Sequence, residues 1–135
     1  MMQDCVSRCM DSNSNQHLRC SKAKENIAPL RLLDLIYDDR VRVVKTEGLI
    51  LKYAILSYCW GRSAAVEAAR TFQSNVSQRV VNFPLSSLPQ ALRDSVIVAR
   101  SLQIQYIWID SLCIVQDSNE WPIEAGRMMD HYANS

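Results

Sequence analysis

Residues 105–116, QYIWIDSLCIVQ, hold one charged side chain, Asp110, in an otherwise largely apolar run. A carboxylate left buried and unpaired would be costly, so either the chain turns to water at Asp110 or the acid has a specific partner. YIWID reads as a buried strand, and the segment before it limits how that strand can be placed. SSLPQALRDSVIVARSLQ (86–103) has a helical period: Leu88, Leu92, Val96, Ala99 and Leu102 repeat along one face. Pro89 suits a first turn, and Ser86 or Ser87 can cap it. Upstream, VRVVKTEGLILKYAILSY (41–58) places two β-rich runs around Thr46-Glu47-Gly48, a connection suited to a hairpin. Its second run, Leu49 to Tyr58, becomes nearly continuously apolar, as a strand covered on both faces does.

Downstream, SNEWPIEAGRMMDHY (118–132) spaces Trp121, Ala125, Met128 and Tyr132 as one helical stripe, with Ser118 or Asn119 as cap. The order strand, helix, strand, helix predicts a βαβα unit with a parallel strand pair. In such sheets ligands bind at the carboxyl ends of the strands. Asp110 ends one strand, and SYCWG (57–61) ends the other. Ser57, Tyr58, Cys59, Trp60 and Gly61 are therefore expected to share one rim with Asp110. PLRLLDLIYDD (29–39) is a dense apolar cluster that suits an edge strand or a helical turn. Residues 62–83 combine helix-forming alanines with a polar, loop-like stretch and read as an insertion.

Composition narrows the function class. With 48% hydrophobic and 21% charged residues, the 135-residue chain suits one modest core: a polar, flexible leader over 1–28 and a packed domain over 29–135. Fifteen basic and 14 acidic residues are scattered along the chain, so no basic face for nucleic acid is expected. No apolar run approaches the roughly 20 residues of a membrane span. The N-terminal stretch lacks an apolar secretion segment, so an intracellular, cytoplasmic protein is expected. Five cysteines fit reduced thiols, with Cys59 and Cys113 as small core residues. Cys5, Cys9, His17 and Cys20 are of zinc-binding type, but their spacing fits no common finger and no metal is expected. Cys113 has no histidine in a motif that would pair with it as a nucleophile's base, and P-loop, GxGxxG and HExxH motifs are all lacking.

ILSYCWG (55–61), LPQALRDSV (88–96), YIWIDSLCIVQ (106–116) and Trp121, Glu124, Met128 and Tyr132 follow one another in order, preceded by PLRLLDL (29–35). This set resembles the fungal heterokaryon-incompatibility (HET) domain over residues 29–135. Two departures are Gln103, where the family usually has glycine, and Ser95, where it has alanine. Family members run on past the last motif, so the chain is expected to be a short or truncated member with an incomplete sheet.

The resemblance implies non-self recognition and programmed cell death, through self-association or binding of other cell-death proteins. It also implies a flavodoxin- or TIR-like three-layer α/β sandwich with a parallel βαβα core and an N-terminal β-hairpin. Some TIR proteins cleave NAD, which makes NAD a candidate substrate. On that reading Ser57, Tyr58, Trp60, Gly61 and Asp110 form the nucleotide-binding rim. Asp110 would accept a ribose hydroxyl, an aromatic would stack on a ring, and Glu124 would be the catalytic acid or base. Each also has a structural role open to it. Asp110 can accept the Leu112 or Cys113 N–H, Tyr58 and Trp60 can pack over the sheet end, Gly61 can allow a positive φ, and Glu124 can be a solvated helix-face acid.

Overall fold

A computed structural model of the protein describes residues 3–5, 7 and 27–135. Most of the expected leader, including Cys9, His17 and Cys20, lies outside the described residues. The domain has five strands: β1 (Arg31–Asp34), β2 (Arg40–Lys45), β3 (Tyr53–Ile55), β4 (Phe83–Pro84) and β5 (Tyr106–Trp108). Its helices are α1 (Ala64–Ala69), α2 (Val76–Val81), α3 (Gln90–Ser101), α4 (Asp110–Cys113), α5 (Glu120–Gly126) and α6 (Met128–Asn134). The strands form one mixed sheet in the order β3-β5-β1-β2-β4. The β3–β5 pair is parallel and the other pairs are antiparallel.

The expected parallel pair is therefore present, with α3 in the connection between its strands. The expected hairpin around Thr46-Glu47-Gly48 is not. Gly48 does turn the chain, at φ +76° with Leu49 N–H on the Thr46 carbonyl at 3.0 Å, but the flanking strands pair elsewhere. The actual hairpin is β1–β2. Its loop is held by Arg100 of α3, whose guanidinium donates to the carbonyls of Leu35 (3.1 Å), Asp38 (2.6 Å), Arg40 (3.3 Å) and Tyr37.

β1 lies at the centre of the sheet rather than at its edge. Leu32 and Leu33 point to opposite faces and both are fully buried, so this strand needs neighbours on each side and cover on each face. Asp34 fixes that position. Its buried carboxylate takes Arg42 of β2 (2.9 and 3.0 Å) and the Gln105 amide beside β5 (3.2 Å). Conversely, β3 is an edge strand and only half-buried beyond Tyr53. In residues 62–83, read as an insertion, the helix-forming alanines do make α1, whereas the stretch expected to be loop-like holds α2 and the start of β4. They are anchored by buried Arg79, which donates to the carbonyls of Ala68 (3.2 Å) and Ala69 (3.1 Å) and lies over the Phe83 ring.

α3 follows its sequence pattern, with Leu92, Val96 and Ala99 buried. Each large aliphatic side chain on that face contributes about 1.5–3 kcal/mol by leaving water. Neither serine caps it. Pro89 occupies the cap position, and Ser87 donates to the Pro84 carbonyl. The last helix breaks at Arg127, where Arg127 N–H bonds the Glu124 carbonyl three residues back. The buried face is the neighbouring stripe, at spacings of three, four and three, rather than the expected one. Ala125 and Tyr132 are exposed, whereas Glu124 and His131 are buried beside half-buried Trp121 and Met128. No helix among the described residues is long and apolar enough to cross a membrane.

Candidate functional site

The carboxyl ends of β3 and β5 do bring the two rim motifs together. Past Trp108 the backbone leaves the sheet and turns at once into α4, which puts Asp110 at its start, half-buried. The chain after β3 continues as coil, with Leu56 N–H on the Trp108 carbonyl at 3.0 Å, and carries Tyr58 and Trp60 across the same end. The Trp60 indole N–H is shared between the two Asp110 carboxylate oxygens, at 3.0 and 3.1 Å. Asp110 Oδ1 also accepts the Ser111 N–H at 2.7 Å. Asp110 thus has a specific partner, and that partner comes from the other strand.

The simplest capping arrangement is replaced by this one. The N–H groups of Leu112 and Cys113 both go to the Ile109 carbonyl, at 3.0 and 2.8 Å, and leave Asp110 to the indole. Burial raises the Asp110 pKa, opposed by hydrogen bonds from Trp60 and the Ser111 backbone and by the positive charge of Arg70. Tyr58 is tied down in the same way, its hydroxyl 2.7 Å from Ser111 Oγ, and desolvation raises its pKa. The Arg70 guanidinium lies over the Trp60 ring, 4.4 Å from its centroid, and Trp121 of α5 meets Trp60 edge-on at 5.7 Å. One Trp60 face is therefore already covered by a cation.

Ser57, Cys59 and Gly61 are exposed. Tyr58, Cys59 and Gly61 help to wall a cleft of about 140 Å³ with Val66, Pro89 and Leu92. Gly61 does not have the positive φ expected of it, and a Cβ there would stand at ordinary distance, 3.7 Å, from Val66 Cγ2. Nor is Cys59 the core thiol expected. Cys113 is, and burial pushes its pKa up to about 12, so it is an unionised packing residue.

Glu124 lies elsewhere. It is 1% exposed, the reverse of a solvated helix-face acid, and among the described residues its ion-pair partners are Arg127 and His131 rather than any residue of the rim. Its Oε2 is 3.2 Å from Nε2 of buried His131 without hydrogen-bond geometry, and its Oε1 is 3.9 Å from Arg127. The Tyr53 hydroxyl donates to the His131 carbonyl at 3.1 Å, and burial together with the Glu124 charge pushes the Tyr53 pKa up to about 12. His131 and Arg70 are the site residues that sequence reasoning passed over. His131 had a signal, standing seven residues after Glu124 and so on the same helical face.

Comparison with known families decides where these motifs belong. The family model described as heterokaryon incompatibility protein (HET) matches residues 53–135. The chain belongs to the HET family. The match contains every rim residue, Glu124 and His131, while β1 and β2 precede it. No curated protein and no solved structure matches the chain. Within this HET domain the segment carrying Tyr58 and Trp60 meets YIWIDSLCIVQ through the Trp60–Asp110 and Tyr58–Ser111 hydrogen bonds, and meets α5 through the Trp60–Trp121 ring contact.

Proposed function

We propose that this HET chain is a signalling module of fungal non-self recognition and programmed cell death, acting in the cytoplasm through self-association or through binding of another cell-death protein. The observation that carries this reading is the internal satisfaction of the rim. Trp60 donates to Asp110 and Tyr58 pairs with Ser111, so these groups join the ends of two strands and shape a surface. A flavodoxin- or TIR-like layering accompanies the proposal, supported by the parallel β3–β5 pair with α3 in its connection. Light scattering on size-exclusion fractions from micromolar to near-millimolar protein tests assembly. Concentration-dependent association, lost together with death signalling in rim variants, is the expected result. A folded, strictly monomeric species that binds no cell-death partner would overturn it.

A second reading, NAD cleavage, is favoured by one observation: Glu124 is a buried acid whose oxygens lack hydrogen bonds. Its test is NAD consumption by the purified protein, alone and within any longer chain that contains it. Loss of turnover in Glu124→Gln would support the reading, and absence of turnover under assembling conditions would end it.

A further inference from the structure

While Trp121, Glu124, Met128 and His131 turn α5 and α6 inward, the other side of these helices stays in water. Pro122, Gly126, Met129 and Ala133, at spacings of four, three and four, share that side, and all four are exposed, Met129 to 86%. Exposed apolar side chains gathered on one face, rather than scattered singly, mark an interaction site. The face adjoins the rim, because α5 also carries Trp121, whose ring meets Trp60. Resting on the self-association reading, we propose that this face is the contact between two copies of the chain, packed antiparallel about a two-fold axis near Met128.

Shape and charge together select a second copy. A Cβ added at Gly126 would meet nothing within 4 Å, so a gap lies in the same row as the projecting Met129. The two-fold axis sets each Met129 over the partner's Gly126, a knob placed in a gap. That axis also brings Arg127 toward the partner's Asp130 and Asp130 toward the partner's Arg127. Asp130 is exposed, with no hydrogen bond or ion pair among the described residues. Arg127 is exposed too, and its guanidinium only approaches Glu124, at 3.9 Å. Two open charges of opposite sign, three residues apart along one helical side, form the self-complementary pattern that an isologous contact requires. A face of about four helical turns is small beside the roughly 1,200–2,000 Å² of a stable interface, so the association is weak and salt-sensitive.

Sedimentation equilibrium of the whole chain, from micromolar to near-millimolar protein, reads the contact, and thermal melts report whether each variant folds. A monomer–dimer equilibrium is expected. Met129→Ser should weaken it at least about tenfold, since each dimer loses two methionine contacts. Gly126→Gln should weaken it similarly while melting no lower than the parent, because glutamine favours a helix and the position has room. Arg127→Asp and Asp130→Arg should each weaken it about tenfold. An equimolar mixture of those two variants should restore it, since in the mixed dimer every new charge meets its opposite. Should Arg127→Asp fail to fold beside Glu124, the Met129 and Gly126 variants decide. Dimerisation untouched by the four substitutions would overturn this face and leave self-association standing. A folded monomer at every concentration, including one that uses this face only for a different protein, would overturn both the face and self-association.

Discussion

Asp110 costs stability in its charged form and gives stability as an acceptor. Desolvation raises its pKa in the folded chain above the ordinary 3.8, so between that value and the raised one the folded state holds the proton more tightly than the unfolded state. Its contribution therefore declines as pH rises through that window and stays constant above it. Asp110→Asn keeps one oxygen for the Trp60 and Ser111 donors and removes the charge. It should change stability by no more than about 1 kcal/mol at pH 7 and abolish this pH dependence, whereas Asp110→Ala should cost about 1–2 kcal/mol. Thermal melts of the three proteins between pH 3.5 and about 7 check both statements. Pairing the melts with a cell-death assay separates structure from signalling. An Asn variant that melts normally but fails to signal assigns Asp110 a contact with a partner, and one that is normal in both respects leaves it as a link between two strand ends.

At the scale of elements, backbone conformation decides two positions in opposite directions. α3 ends with Ile104 N–H on the Ala99 carbonyl (3.0 Å) and Gln103 N–H on the Arg100 carbonyl (2.9 Å), the paired bonds of a Schellman cap. Such a cap places its turning residue in the left-handed region, and Gln103 is there at φ +59°. This is the position where the family pattern has glycine, so that departure has a physical meaning. Gln103→Gly should stabilise the domain by about 0.5–1 kcal/mol, less than the full left-handed penalty because glycine loses more entropy on folding. Gly48→Ala should cost about 1 kcal/mol although nothing lies within 4 Å of the added Cβ, since its φ of +76° is the obstacle. Arg79 ties α1 to β4 through two carbonyls and the Phe83 ring, while burial lowers its pKa. Arg79→Leu leaves both carbonyls short of a donor and should cost about 2–3 kcal/mol in urea unfolding.

Over the whole molecule, the parts readable in the sequence were those where one pattern had one meaning. The apolar period of 88–102 could only be a helix packed by one face, and YIWID between that helix and an acid could only be a strand ending at a rim. Pairing was harder to read, because Val41–Val44 and Leu49–Ile55 look alike whether they bond each other or take separate partners. The choice is made by Asp34, which holds β1 between β2 and β5, and by the chain crossing from β2 to the far edge of the sheet. The phase of the last helix was lost for a similar reason: Trp121 and Met128 belong to two neighbouring stripes, one through Ala125 and Tyr132 and one through Glu124 and His131, and an acid and a histidine do not look like the buried choice. Cys113 reports on this assembled core as a unit. It is 2% exposed among Leu112, Ile114 and Ile107, and its thiol is pushed up to about 12, so a thiol reagent meets neither access nor thiolate in the folded state. Cys59, exposed at the rim, meets no such barrier of access. Iodoacetamide at pH 8, with modification mapped by mass spectrometry, should label Cys59 within minutes and Cys113 only through opening of the core. Cys113 labelling should then rise with urea along the same curve as loss of circular dichroism, whereas Cys59 labelling should not follow it. Rapid labelling of Cys113 without urea would mean that β5 and α4 open independently of the rest of the sheet. Slow labelling of Cys59 that quickens on dilution would instead show the rim covered by a second copy, linking this measurement to the assembly on which the signalling proposal depends.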